Sequence, residues 1–460
     1  REGDEAPTPC VEILLLPDKD QEDENISAEE LDAAIFSSSR AFLKWSKLPV
    51  EKRQDLLLRL AEILEVEKDY HAATITSEMG KPISQSLAEI EKSALACRFY
   101  GERADEFLRA RKHASSGGTS MVRFDPQGIV FAIMPWNFPY WQVIRCIAPA
   151  LAAGNTVLLK HASNVPRCAE NIENAVMKAG FPENVFRNLF IDHDQAEKIL
   201  ESDYVRSVSL TGSNVAGEKI ASKAGANIKK LVLELGGNDA FIVYNDADLE
   251  KAAEALVYGR FQNTGQSCIA SKRLFLHEQV FPEFISLLSG RIKALKMGNP
   301  SLQDTFIGPL VNKTAVMEVE RQVSQTRDMG AENILGGKYG HPGDCFFEPT
   351  VLVNVSYDSP LAREEVFGPV LPVFSFHDYD ELVCRVNDSR FGLACSVFTG
   401  NDKIIEQLSR DIDTGTIVFN SFTRSDPALP FGGVKQSGYG RELSEYGIME
   451  FVNIKTVTVF

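Results

Sequence analysis

The chain has 460 residues, 44% of them hydrophobic, and carries a formal net charge of -16. Its length predicts two or three folded units, and its acidic balance argues against nucleic acid and anionic membrane as partners, since both reward a positive surface. Eight cysteines without a CxxC pair point to neither a zinc site nor a disulfide scaffold, and no apolar run reaches the roughly 18 residues of a membrane span.

Residues 1–26 are acidic and proline-bearing, and "PDKDQEDEN" reads as a solvated loop. Ser27 and Glu30 have capping-box spacing and predict a helix running to about Trp45. After Pro49, Leu57, Leu60 and Leu64 share a helical face, so one helix ended by Gly80 is expected, with a third beginning after Pro82. Residues 108–126 and the terminal "IKTVTVF" read as strands outside any main sheet, suited to a platform for oligomer assembly.

From Gly128 short apolar strands alternate with helices: "GIVFAIMPW", "TVLLK", "VRSVSLTGS", "KLVLELGG", "AFIVY". That pattern predicts a parallel sheet covered on both faces, a doubly wound α/β architecture. A further set beyond Cys268 ("RLFLH", "EPTVLVNV", "PVLPVFSF", "ACSVFTG", "GTIVFN") predicts a second α/β domain.

Ligands of open α/β sheets sit at the carboxyl ends of strands. There the sequence offers Asn137, Lys160, Thr211-Gly212-Ser213 and Glu234. Gly212 and Gly217 in "TGSNVAG" allow either a phosphate seat at a helix N-terminus or a plain tight turn. Glu234 reads as a desolvated general base or as a structural carboxylate held by backbone amides. Asn137 reads as an oxyanion donor or a turn asparagine. Cys268, in the polar loop "FQNTGQSCIASKR", reads as a nucleophile or a small buried hydrophobe. Taken together, a cysteine, a carboxylate base, an amide donor and a dinucleotide-type sheet suit covalent oxidation of an aldehyde. The thiolate attacks the carbonyl, hydride leaves to nicotinamide, and the base activates water to hydrolyse the thioester.

The motifs "PWNFP", "PALAAGNTVLLK", "SLTGS", "LELGG", "NTGQSC", "EEVFGPV" and "PFGGVKQSGYGRE" follow one another in an order and spacing that resembles the aldehyde dehydrogenase superfamily from about Ser27 onward. The resemblance implies two doubly wound parallel-sheet domains plus a small β-hairpin oligomerisation element, assembled as a homodimer or homotetramer. The corresponding boundaries are 1–107 and 127–236 for a dinucleotide-binding domain, 237–437 for a catalytic domain, and 108–126 with 438–460 for the oligomerisation element. It implies Cys268 as nucleophile, Glu234 as general base, and Asn137 with the Cys268 backbone N–H as oxyanion hole. For the cofactor it implies Pro135, Trp136, Lys160, Gly212, Ser213, Leu235, Glu365 and Phe367.

Many NAD-preferring members of that family carry a glutamate three residues after the lysine; here "KHAS" puts Ser163 there. A hydroxyl beside Lys160 removes repulsion of a 2′-phosphate, so NADP is expected to be preferred and NAD accepted. Arg145, amid apolar neighbours, needs an anionic partner, either a protein carboxylate or a substrate. Its offset from "WNFP" resembles the arginine of succinate-semialdehyde dehydrogenases of the bacterial type, which implies a clamp on a substrate carboxylate, with Ser425 as a second donor and Arg424 a weaker candidate. Trp141 and Phe261 are expected as apolar walls. Where some of that group carry a second cysteine, this chain has Ala270, so no disulfide switch is expected. An acylating, coenzyme A-dependent enzyme, a thiol hydrolase using His277, and a non-catalytic protein of the same fold are the rival readings. No metal is implied. The balance fits a small-molecule enzyme of the cytoplasm, with an organellar matrix as the alternative because a chain starting at Arg1 is compatible with a removed targeting segment.

Overall fold

A computed structural model describes residues 25–115, 118–337 and 345–460; the solvated-loop reading of the opening segment falls almost wholly outside them. The first helix, Ala28–Trp45, starts as its capping box predicts: the Ser27 hydroxyl accepts from the Glu30 N–H, and the Glu30 carboxylate accepts from the Ser27 N–H at 2.8 Å. Leu57, Leu60 and Leu64 are fully buried against the helix Ile83–Phe107 and its neighbours. The single helix expected from Pro49 to Gly80 is instead two, Val50–Val66 and Lys68–Met79. Glu67 leaves helical geometry between them (φ -94, ψ 17), and its carboxylate accepts from Lys178 of another helix at 2.9 and 3.1 Å. Gly80 ends the second of them in the left-handed conformation.

Two parallel sheets dominate. One has six strands in the order Gly438–Tyr439, Lys230–Glu234, Val205–Thr211, Ile129–Met134, Thr156–His161, Phe186–Asn188, with only the first antiparallel. The other has seven, ordered Glu332–Leu335, Thr350–Val353, Val370–Phe376, Ser271–His277, Asp239–Val243, Ala394–Phe398, Thr416–Phe419, again with one antiparallel edge. Strands such as Asp239–Val243 are buried at every position because helices cover both faces, which is why they read as unbroken apolar runs.

A three-stranded antiparallel sheet joins Arg111–Ser115, Gly118–Pro126 and Val452–Val459. Not all of residues 438–460 stand with it. Gly438–Tyr439 extends the six-stranded sheet, and the helix Ser444–Met449 packs beneath the same unit, where Ile448 is fully buried in the first core. Among the described residues no helix is long and apolar enough to cross a membrane.

Candidate active site

The helix Leu249–Phe261 runs into a turn in which Asn263, Thr264 and Gly265 all have left-handed backbone angles (φ 53, 55 and 75). For a β-branched threonine such a conformation costs about 1–3 kcal/mol and persists only where the surroundings over-determine it. Here they do: the Thr264 hydroxyl donates to the Gly308 carbonyl at 3.1 Å and accepts from its N–H at 3.0 Å, while the Asn263 amide donates to the carbonyls of Asn137 (2.8 Å) and Gln266 (3.0 Å). A Cβ on Gly265 would collide with the Gly368 carbonyl. The turn delivers Cys268 to the junction of two cavities, both of which it lines together with Gln142.

The first cavity, about 300 Å³, gathers residues from the carboxyl ends of the six-stranded sheet. Pro135, Trp136 and Asn137 come from one strand end, Gly212 and Ser213 from the next, and Glu234 and Leu235 from a third. Glu365 and Phe367 close it from the other sheet's side, with the Phe367 ring edge-on to Trp136 at 5.8 Å. Glu365 accepts from the Gly237 N–H at 3.1 Å and pairs with Lys272 at 3.3 Å; Lys272 also donates to the Cys268 carbonyl at 2.6 Å. Lys160 and Ser163 line a separate hollow of about 60 Å³ beside Asn188.

Asn137 is 4% exposed, and one of its two amide hydrogens goes to the Gln266 carbonyl at 3.2 Å, which leaves the other for a ligand. Glu234 is 2% exposed, and neither carboxylate oxygen has a hydrogen-bond partner among the described residues, so backbone amides do not hold it. Burial raises its pKa well above the carboxylate range, and the nearby Glu442 charge raises it further against Arg145 and Arg441. Burial likewise pushes the Cys268 thiol up to about 12, opposed by Arg145 and Lys272.

The second cavity, about 360 Å³, lies on the other side of Cys268. Trp141, Arg145, Arg424 and Ser425 all line it, as expected. Phe261 does not: it is wholly buried in the core between its helix and the seven-stranded sheet, so it is packing rather than a wall. His277 lines neither cavity and caps the turn after its strand, accepting from the Gln279 N–H, which removes the histidine a thiol hydrolase would need.

Arg145 has a protein partner. It is ion-paired with the fully buried Glu442, donates to the Thr211 hydroxyl at 3.2 Å and stacks over Phe431 at 4.9 Å. Glu442 ends the motif "PFGGVKQSGYGRE", but nothing in the sequence marks it as the partner of Arg145. Lys272 and Lys92, which support and line the two cavities, are equally unmarked. A single lysine on an amphipathic helix carries no sequence signal that separates it from a solvated one.

The chain is similar over nearly its whole length to several known proteins. A probable NADP-dependent succinate-semialdehyde dehydrogenase of Synechocystis sp. is 44% identical over 434 residues, covering 94% of this chain and 95% of that protein. An NADP-dependent succinate-semialdehyde dehydrogenase of Mycobacterium tuberculosis is 43% identical with the same coverage. The crystal structure of succinic semialdehyde dehydrogenase from Streptococcus pyogenes, in complex with NADP, superposes with a TM-score of 0.92 at 36% identity, covering 95% of this chain and 96% of that one. The family model for aldehyde dehydrogenases matches residues 22–457, and the chain belongs to the aldehyde dehydrogenase family.

Proposed function

We propose that this aldehyde dehydrogenase oxidises succinic semialdehyde to succinate, with NADP preferred and NAD accepted. The observation that carries the reading is Cys268 at the meeting of two cavities, one holding the unbonded Glu234 and the other lined by Lys92, Arg145 and Ser425.

The residues fit a dinucleotide. A Cβ on Gly212 would meet nothing within 4 Å, and Ser213 caps the helix Asn214–Ala226, so free space lies against a helix N-terminus that favours phosphate. Gly212 and Ser213 would hold the pyrophosphate, with Pro135, Trp136, Leu235, Glu365 and Phe367 around the nicotinamide end. Lys160 and Ser163 would hold the adenosine ribose and its 2′-phosphate. A bound nicotinamide would supply the hydride acceptor for oxidation at Cys268.

Cys268 loses its proton to water and attacks as the thiolate, a charge that Arg145 and Lys272 favour. Asn137 and the Cys268 N–H stabilise the oxyanion, a contribution of about 3–4 kcal/mol per donor in comparable sites. Glu234, desolvated and unbonded, takes a proton from the water that cleaves the thioester. Its presence favours hydrolysis over transfer to coenzyme A.

Three units are proposed: a cofactor-binding unit around the six-stranded sheet, a catalytic unit around the seven-stranded one, and the three-stranded sheet as the contact in a homodimer or homotetramer. Unbridged thiols on Cys97, Cys146, Cys168, Cys268, Cys384 and Cys395 support a reducing compartment such as the cytoplasm.

Initial rates with succinic semialdehyde and butanal, each with NAD and NADP, test the proposal. A higher kcat/KM for the semialdehyde with NADP is expected; parity with butanal would leave a general aldehyde dehydrogenase. Ser163→Glu is expected to lower kcat/KM for NADP by about 10- to 100-fold and spare NAD, because the new carboxylate repels the 2′-phosphate. An unchanged cofactor ratio would remove Ser163 from that role.

A further inference from the structure

The substrate-side cavity is lined by three cations, Lys92, Arg145 and Arg424, and they differ in what already neutralises them. Arg145 is buried against Glu442. Arg424 is exposed at the rim. The acidic lining residue Glu89 is also spoken for: Lys81 pairs with it, and it accepts from the backbone N–H groups of Tyr140 (2.8 Å) and Trp141 (3.0 Å). Lys92, on the helix Ile83–Phe107, is different. Among the described residues it belongs to no ion pair. Its ammonium donates to the Ser425 hydroxyl at 2.7 Å and sits over the Trp141 ring at 4.3 Å.

An ammonium drawn largely out of water, with a hydroxyl and an aromatic face but no carboxylate within ion-pair reach among the described residues, is a site for an anion. The Ser425 oxygen accepts from Lys92, so its own hydrogen remains free to donate beside the lysine. Both groups line the cavity that Cys268 also lines, whose walls are otherwise largely aromatic, from Trp141, Tyr258 and Phe422. We infer that Lys92 joins Ser425 at the seat of the substrate's terminal carboxylate, beside Arg145, as a further residue that sets specificity for an anionic aldehyde. This rests on the carboxylated-aldehyde reading above. Glu442 takes Arg145 at Nε and Thr211 takes it at one terminal nitrogen, whereas the Lys92 ammonium has no carboxylate partner among the described residues.

Burial, reinforced by the Arg145 guanidinium, pulls the Lys92 pKa down to about 8. The charges acting on it are Arg145 and Arg424, which lower it, and Glu89 and Asp426, which raise it. Lys92 is therefore charged at neutral pH and loses its charge above about 8, so the preference for an anionic aldehyde falls as pH rises through that region. Taking the ratio of kcat/KM for succinic semialdehyde to that for butanal cancels the titration of Cys268 and Glu234, which serve both substrates.

The experiment measures that ratio for wild type, Lys92→Met and Lys92→Arg with saturating NADP, from about pH 6.5 to about pH 9.5, a range that brackets the Lys92 midpoint of about 8. Lys92→Met is expected to lower the ratio about 10- to 100-fold, chiefly through KM for the semialdehyde, and Lys92→Arg to restore most of it and abolish its fall above pH 8 or so. Equal losses on both substrates in Lys92→Met would overturn the assignment and make Lys92 structural. Should that variant not fold, a wild-type ratio that stays flat across the range overturns it, and one that falls supports it. A wild type with no preference for the semialdehyde at any pH would instead defeat the substrate reading itself.

Discussion

Cys268→Ala is expected to lower turnover on the order of 10⁴-fold or more while leaving cofactor affinity unchanged, because it removes the atom that forms the covalent intermediate and little else. The side chain is small, and the turn that presents it is held by Asn263, Thr264 and Gly265 rather than by the thiol. Titration of cofactor binding by fluorescence, alongside steady-state rates, separates the two effects. The thiol's high proton affinity sharpens the point. With burial pushing it up to about 12, attack has to be accompanied by proton removal. The Arg145 and Lys272 charges favour the thiolate that proton loss leaves behind. Oxidation at the wild-type rate by the alanine variant would remove the covalent mechanism altogether.

Glu234→Gln is expected to lower steady-state turnover by about 10²- to 10⁴-fold while preserving a burst of reduced cofactor approaching one per active site. Glutamine fills the same volume and cannot accept the proton of the hydrolytic water, so the thioester accumulates. Rapid-mixing absorbance at the reduced nicotinamide band reads this directly. The pH profile gives a second, independent check. A carboxylate whose pKa is raised works as a base only above that raised value, so the wild-type rate falls as pH drops through it. That limb is expected well above the ordinary carboxylate range and to vanish in Glu234→Gln. A variant with neither a burst nor a lost limb would place the base elsewhere.

Much of this site was legible before any coordinates. Asn137, Glu234 and Ser213 are polar groups at or just past the ends of largely buried strands, and a doubly wound sheet leaves such positions facing a crevice. The strands themselves were legible because burial on both faces leaves a continuous apolar signature. What escaped were features fixed by contacts far apart in the chain. Arg145 and Glu442 meet across the whole first unit, and the Lys92–Ser425 bond joins residues 333 positions apart. Nothing near Lys92 marks it as anything but a helix lysine. The break at Glu67 escaped for the same reason, since the Lys178 that takes up its carboxylate belongs to another helix. Phe261 is the reverse case: an aromatic residue expected as an apolar wall is buried in the core beneath its helix, and nothing in the sequence separates the two settings.

The left-handed run Asn263-Thr264-Gly265 also shapes how this protein can be re-engineered. Asn263 and Thr264 are bonded to backbone groups at Asn137 and Gly308, and Gly265 has no room for a side chain against the Gly368 carbonyl, so a library randomised there would return mostly inactive clones whatever its chemistry. Diversity aimed at new aldehydes belongs on Trp141 and Tyr258, which line the substrate-side cavity from helices, and on Phe422 beside them, none of which has a left-handed backbone. The segment that presents the nucleophile is thus the least evolvable part of the site, and the wall around it the most.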